Sequence, residues 1–587
     1  MNLAATVLAQ EVARLDGASS LQSSVMNLLF IYQQGKRRLV PCHRRMTRLT
    51  WCSGPFMALS HYSAIARMCL NVAEPHTPYG LMNHSTYEDP MTSTDATDSR
   101  LLLTGVPGLD DVLGGGLTPN RLYLLEGTPG AGKTTIALQY LMEGARLGES
   151  VLYVTLSETV EEIQGVARSH GWNLAGVHMR EVLPSQDSLQ PDEQNTMFHP
   201  SEVEFTETTL KILDDIEQLQ PSRVVFDSLS ELRLLAGSSV KYRRQILALK
   251  QFFATRQCTV ILLDDTSALA DDLHVRNVSH AVIKLEQLNP DYGNARRRLI
   301  VLKFRGQEFR GGYHDYKIVR GGMQVYPRLV AAEHLSTKTR ARIPSGIGQL
   351  DELLGGGIEK GTSTLVVGAP GTGKSSIAVQ FAMAAAQRGE SAALFIFDES
   401  IDTLTTRSQG LGMTIQPFLD SGLIKVEQID PAELSPGEFV HHIRQAVTRD
   451  KASVIVIDSL NGYLNAMPDE RFLIIQLHEL LTFLGQANVA TLLIGAQHGL
   501  IGANMRTPVD ASYLADAVVL MRYYEAEGEV RQAISVLKKR GGSHERTIRA
   551  FTMDSKGVHV GETLKNFRGV LTGVPVSAVD ESHGQTT

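Results

Sequence analysis

The sequence predicts an α/β protein built from two tandem copies of one domain, each a mainly parallel sheet flanked by helices. The first observation behind this is G-T-P-G-A-G-K-T, Gly127 to Thr134, between the apolar run Leu122 to Leu125 and the helix-patterned stretch Ile136 to Leu141. That strand, loop and helix order is the context a phosphate-binding loop requires. The second is a further loop in the same context, G-A-P-G-T-G-K-S, Gly368 to Ser375. The third is that the surroundings repeat at a constant interval: T-G-V-P-G-L-D-D-V-L-G-G-G-L (Thr104 to Leu117) matches S-G-I-G-Q-L-D-E-L-L-G-G-G-I (Ser345 to Ile358), and Gly148-Glu149-Ser150 matches Gly389-Glu390-Ser391. A fixed offset through several elements marks a duplicated domain.

Each loop assigns its own residues. Glycines let backbone N–H groups turn inward around a phosphate, and the following helix points its positive dipole end at the same place. The expected ATP-binding residues are Gly127, Thr128, Gly130, Ala131, Gly132, Lys133, Thr134 and Thr135, then Gly368, Ala369, Gly371, Thr372, Gly373, Lys374, Ser375 and Ser376. Lys133 and Lys374 are placed to reach the β- and γ-phosphates, with the Thr134 and Ser375 hydroxyls on Mg²⁺.

The strands that follow end in acids. Val151 to Leu156 runs into Ser157-Glu158, and Leu394 to Phe397 runs into Asp398-Glu399. Ligands gather at the carboxyl ends of parallel strands, so Glu158, Asp398 and Glu399 are candidates to orient or deprotonate the water that attacks a γ-phosphate. The plainer reading is an acidic first turn after a helix cap. Arg223 to Ser228 and Ser453 to Ser459 are buried-strand patterns ending in Asp-Ser, which nominates Asp227 and Asp458 for the magnesium side. The polar tips of two further strands, Asp264 and Gln497-His498, read equally as phosphate sensors or loop starts. Basic pairs close the set: Lys303 and Arg305, and Lys538 and Arg540, share a face of their strands by alternation. In ring ATPases such a pair can reach the nucleotide of the neighbouring subunit; the alternative is a charged edge that discourages strand addition.

Composition bounds the rest. The 587 residues are 43% hydrophobic and 20% charged with a net charge of −7, ordinary for a soluble protein and without a global pull toward nucleic acid. Lys241 to Arg244 and Arg296 to Arg298 are the tight basic clusters of the repeat region. No apolar run approaches the ~20 residues that span a bilayer. Cys42, Cys52, Cys69 and Cys258 lack metal-ligand spacing, so a cytoplasmic protein is expected. The expected layout is an extension at 1–98, a first domain at 99–330, a linker at 331–342, a second domain at 343–575 and a polar tail at 576–587. The extension shows no strand and helix alternation, its apolar stretch Met26 to Tyr32 is too short and internal for a targeting signal, and Met91 is a candidate natural start.

Taken together, the lead-in motif, both loops, both K-x-R-G strands, Leu514 to Leu520 with Tyr523-Tyr524-Glu525, and Asn566 to Pro575 resemble the KaiC family of double-domain RecA-like ATPases, from about Leu103 to Pro575. The resemblance implies two tandem RecA-like domains in a hexameric ring with ATP and Mg²⁺ between subunits. It places Lys303, Arg305, Lys538 and Arg540 across the interface. It also implies ATPase activity in the first domain and, in the clock members, Ser/Thr autokinase activity in the second, with signalling proteins as partners. The chain departs from the family where Ser157 and Asp398 replace the first of two glutamates, and where Ser512-Tyr513 replaces a Ser-Thr acceptor pair, leaving Ser512 as the candidate phosphoacceptor. A DNA-dependent ATPase and a non-catalytic ATP-gated scaffold are the competing readings.

Overall fold

In the computed structural model the described residues lie within one compact unit, Asp95–Thr587. The structure describes residues 101–182, 213–236, 238–265, 273–290, 293–333, 341–465, 470–497, 512–572 and 576–577. The N-terminal extension with Met91, residues 334–340 of the expected linker, His498 and residues 578–587 lie outside them.

Among the described residues the first repeat forms nine strands: β1 (Leu122–Gly127), β2 (Val151–Thr155), β3 (Val177–Glu181), β4 (Arg223–Asp227), β5 (Thr259–Asp265), β6 (Ala281–Leu288), β7 (Arg296–Phe304), β8 (Tyr313–Val319) and β9 (Gly322–Tyr326). They make one sheet in the order β3-β2-β4-β5-β1-β6-β7-β8-β9. The first six are parallel and the last three return as an antiparallel meander. After a short antiparallel pair, β10 (Arg342–Ile343) with β11 (Ile358–Glu359), the second repeat builds the same sheet. Its strands are β12 (Ser363–Gly368), β13 (Ser391–Ile396), β14 (Ile424–Gln428), β15 (Ala452–Asp458), β16 (Ala490–Ala496), β17 (Ala517–Ala526), β18 (Glu529–Lys539), β19 (Ile548–Asp554) and β20 (Gly557–Thr563). Their order is β14-β13-β15-β16-β12-β17-β18-β19-β20. The mainly parallel sheets expected from the sequence are present, each extended by a meander that the motifs did not announce.

Every residue of β1 and of β12 is buried, because helices cover both faces of a parallel sheet. In the first domain the helix Lys133–Arg146 packs Ile136, Leu138 and Leu141 on one face, and Ser239–Thr255 packs Tyr242, Ile246 and Phe253 on the other. Asp110 and Asp351 of the lead-ins accept from the Thr104 and Ser345 N–H groups at 2.9 and 2.7 Å. The triple glycines that follow cross the chain at close range: at φ 133° and 105°, a Cβ on Gly116 or Gly357 would sit 2.5 Å from the Leu102 carbonyl oxygen or 2.4 Å from that of Ile343. The repeated Gly-Glu-Ser has an electrostatic reason. Glu149 pairs at 2.5 Å with the fully buried Arg223 that opens β4, and Glu390 pairs at 3.2 Å with Lys360.

The meanders support the loops from beneath. The Tyr316 hydroxyl donates to the Ala131 carbonyl at 2.6 Å, and Phe551 of β19 lies against Gly373.

The two domains touch through the helix Pro436–Thr448 of the second, which docks on β8 and β9 of the first. Glu438, buried, accepts from the Tyr326 hydroxyl at 3.0 Å and from the Lys317 ammonium at 3.3 Å. Asp315 accepts from the Gly437 N–H at 2.7 Å, and Tyr326 packs on the His441 ring. Both ends of the expected linker are built in: Ala331 is buried with its N–H on Glu479 at 3.1 Å, and Arg342–Ile343 is paired. At the other end β21 (Phe567–Arg568) pairs with β22 (Val576–Ser577), so ladder hydrogen bonds order the first two residues of the expected tail. No helix of the described residues is long and apolar enough to cross a membrane.

Removing a buried acceptor strands its donors. Glu438→Ala is therefore expected to cost about 1–3 kcal/mol and to lower the urea midpoint, while the exposed Glu161→Ala leaves it unchanged.

Candidate functional site

The parallel strands of each domain end on one edge of the sheet, and the loop between β1 or β12 and its helix opens there. Gly132 and Gly373 cap these helices in the left-handed region, φ 94° and 96°, a conformation that glycine adopts without strain.

In the first domain Lys133 is buried, and its ammonium donates to the carbonyls of Gly127 at 3.0 Å and Thr128 at 3.3 Å. It also pairs at 2.5 Å with Asp265, the last residue of β5. The Thr134 hydroxyl stands 3.3 Å from the Asp227 carboxylate at the tip of β4, and the same carboxylate oxygen accepts from the Tyr153 hydroxyl. Burial raises the Asp227 pKa, against the pull of Tyr153, Thr134 and Lys133. Glu158 follows β2, with its N–H on the Thr155 hydroxyl at 3.0 Å. Burial first, then the neighbouring Asp227 and Glu162, push its carboxyl up, and Lys133 pulls it down. A capping box between Thr159 and Glu162 starts the next helix, so the cap is Thr159 and Glu158 is left facing the loop side.

In the second domain Lys374 is buried with its ammonium on the Ala369 carbonyl at 2.7 Å, and burial lowers its pKa while Asp458 raises it. Asp458 at the tip of β15 accepts from Ser375, yet burial, with Glu399 nearby, pushes its carboxyl up to about 6. Asp398 accepts from the Ser459 hydroxyl at 2.5 Å. Glu399 is gripped by Arg407, 2.7 Å from Nη2 to Oε1. The hydroxyl and carboxylate beside each loop are hard oxygen donors within reach of one small cation, so these residues fit Mg²⁺.

The structure thus brings each loop lysine, hydroxyl, strand-tip Asp and Glu to one edge. The basic pairs sit elsewhere. Lys303 and Arg305 bind the main-chain carbonyls of Arg276 and Asn277, just before β6. Lys538 binds those of Ser512 and Ala515 at 2.8 Å each, and Arg540 binds that of Tyr513 at 2.8 Å, just before β17. In both domains the pair pins the segment that enters the strand beside the loop strand, and the candidate acceptor Ser512 lies in that segment.

Sequence reasoning passed over Tyr153, Asp265 and Arg407. Each stands where the other repeat has a different residue. Gly127 pairs across the sheet with Asp265, but Gly368 with Ala496. Tyr153 lies opposite Val225 two residues before the β4 tip, and Leu394 holds the same register place opposite Val456. Arg407 and Val166 are each the seventh residue after a capping residue, Ser400 and Thr159.

Two outcomes follow from these charges. Asp265 competes with a phosphate for Lys133, so Asp265→Ala is expected to tighten ATP binding at the first site by roughly 2- to 5-fold, measured by titration with Lys374→Ala present to silence the second. The raised Asp458 pKa means that its buried charge costs nothing below the ordinary value of 3.8 and the full amount above about 6. In metal- and nucleotide-free protein Asp458→Asn should therefore stabilise the fold by up to about 3 kcal/mol above pH 6, an advantage that vanishes as pH falls through 4, as read by urea melts.

A profile of the family described as "ATPase: KaiC" matches residues 102–330 and again residues 343–565. The chain is 28% identical over 509 residues to the circadian clock oscillator protein KaiC of Thermostichus vulcanus, across 85% of this chain and 97% of that protein. It is 28% identical over 483 residues to the circadian clock protein KaiC3 of a Synechocystis species, across 81% of this chain and 94% of that one. Against the circadian clock oscillator protein KaiC of Synechococcus elongatus it is 29% identical over 486 residues, 81% of this chain and 92% of the other. Each matched span holds one nine-stranded sheet, one phosphate loop and one strand-tip Asp and Glu. The chain belongs to the KaiC family of ATPases, with two KaiC domains in tandem.

Proposed function

We propose that both domains bind ATP with Mg²⁺ and that the chain hydrolyses ATP as a ring of identical subunits, a hexamer by family analogy. The observation that carries this is the repeated convergence of a buried loop lysine, a hydroxyl with its Asp, and a Glu on the loop edge of each sheet. Backbone N–H groups of Gly130, Gly132, Lys133 and Thr134, and of Gly371, Gly373, Lys374 and Ser375, bind the phosphates, and Lys133 and Lys374 exchange loop carbonyls for phosphate oxygens. Thr134 with Asp227, and Ser375 with Asp458, would hold Mg²⁺, which would draw negative charge off the phosphate oxygens. Glu158 and Glu399 orient a water and take its proton as the water oxygen bonds to the γ-phosphorus. The bond from that phosphorus to the β–γ bridging oxygen breaks, and ADP leaves. Lys303 with Arg305, and Lys538 with Arg540, supply positive charge to the ATP of the adjacent subunit. What supports this is their distance in the fold from the lysine of their own loop and the exposure of Arg540.

In the second domain the same machinery would transfer the γ-phosphoryl group to the Ser512 hydroxyl in place of water, and the output is regulatory, as the names of the relatives suggest. The purified full-length chain is incubated with γ-labelled ATP and Mg²⁺, and free phosphate and protein-bound label are followed together. Phosphate release is expected to fall by about 100-fold or more in Glu158→Gln/Glu399→Gln. Label on the protein should be lost in Ser512→Ala. Release at background with ATP bound would instead mean a nucleotide-gated scaffold, and release that requires single-stranded DNA would mean a DNA-dependent ATPase.

A further inference from the structure

The two candidate bases are held in opposite ways. Arg407 reaches back from the helix Ile401–Gly410 and lays its guanidinium along Glu399, with Nη2 2.7 Å from Oε1 and Nε 3.4 Å from Oε2. Its third nitrogen donates at 2.9 Å to the hydroxyl of Ser376, a buried residue of the phosphate-loop helix adjoining Ser375. The pair is largely shielded, the two side chains being 28% and 21% exposed, so water screens it less than a surface ion pair. A guanidinium fork on both oxygens satisfies the lone pairs that would otherwise receive the proton of a water. The neighbouring acid does not replace it, because Asp398 is taken by the Ser459 hydroxyl.

Among the described residues the first domain has no such grip on Glu158. Val166 stands at the place of Arg407, its side chain packed against the core. Burial, Asp227 and Glu162 push the Glu158 carboxyl up.

We infer that Arg407 is a positioning residue that holds Glu399 off the attacking water, so that the second site hydrolyses ATP more slowly than the first and keeps it as the triphosphate. The inference rests on the reading that both loops bind ATP and that the strand-tip Glu is the base. It adds the residue that sets the two sites apart. ATP kept intact in the second domain is available to hold subunits together or to pass its γ-phosphoryl group to a hydroxyl.

A tie that merely braced two helices would, once cut, loosen ATP binding or slow the chemistry. A grip on the base, once cut, speeds the chemistry and leaves binding alone. The test uses the full-length chain with Glu158→Gln throughout, so that phosphate release reports the second site. Arg407→Val, the residue of the first repeat, is expected to raise kcat about tenfold with KM within about twofold, because the freed carboxylate regains its proton-accepting oxygens. Arg407→Lys, which offers one ammonium in place of the fork, should fall between wild type and Val. Adding Glu399→Gln to Arg407→Val should return release to background.

A kcat that is unchanged or lower in Arg407→Val, or a gain that survives Glu399→Gln, overturns the inference. If Arg407→Val fails to fold by circular dichroism, the lysine variant decides in the same way. Failure of the underlying reading shows differently: the chain with Glu158 intact would then release no phosphate, or nucleotide titration would find no ATP on the second loop.

Discussion

Each half of this protein is organised around an ammonium group buried at the carboxyl end of a parallel sheet. Lys133 and Lys374 have little contact with solvent, and a cation in that position must be answered by oxygen. The loop supplies carbonyls to both. What else supplies it differs: Asp265 in the first domain, and in the second no acid at the matching sheet position, where Ala496 stands. The triphosphate that an ATPase family implies carries charge to answer both lysines, and hydroxyls and acids stand around them. Much of the remaining architecture secures that frame. The glycine turns bring each lead-in back against the segment before it, buried Arg223 locks the entry to β4, and the meanders press Tyr316 and Phe551 up against the loops.

Within this shared frame the two copies have diverged in the polar contacts that set how a site behaves. The first gives the strand-tip Asp227 a tyrosine partner and Lys133 an aspartate, while burial and neighbouring acids raise the Glu158 pKa. The second withdraws those partners and instead engages both strand-tip acids, Asp398 with Ser459 and Glu399 with Arg407. The domains are joined by a polar contact centred on Glu438, in which the helix of one meets the meander of the other. The meander that supports the first loop therefore also carries the second domain.

The fold and the loops were legible in the sequence because they are made of repetition. Two loops, two triple-glycine lead-ins and two Asp-Ser strand ends each doubled the weight of the other, and the sheets formed where those patterns placed them. Tyr153, Asp265 and Arg407 were missed for the complementary reason, since a search for what two copies share discards the positions where they differ. Comparing the repeats place by place, Tyr153 with Leu394, Asp265 with Ala496 and Val166 with Arg407, holds the signal that similarity hides. The meanders escaped because antiparallel strands with one wet face carry weaker apolar runs than β1 or β12. The docking of Glu438 on Tyr326 joins residues more than a hundred positions apart, and no local pattern encodes it.

Two working triphosphate sites in each chain would show in a count of nucleotide on the intact protein, made by native mass spectrometry with a slowly hydrolysed ATP analogue and Mg²⁺. Two nucleotides per subunit are predicted for the wild type, with one lost on Lys133→Ala and the other on Lys374→Ala. A wild type that holds one nucleotide per subunit, or a substitution that leaves the count unchanged, would contradict the account.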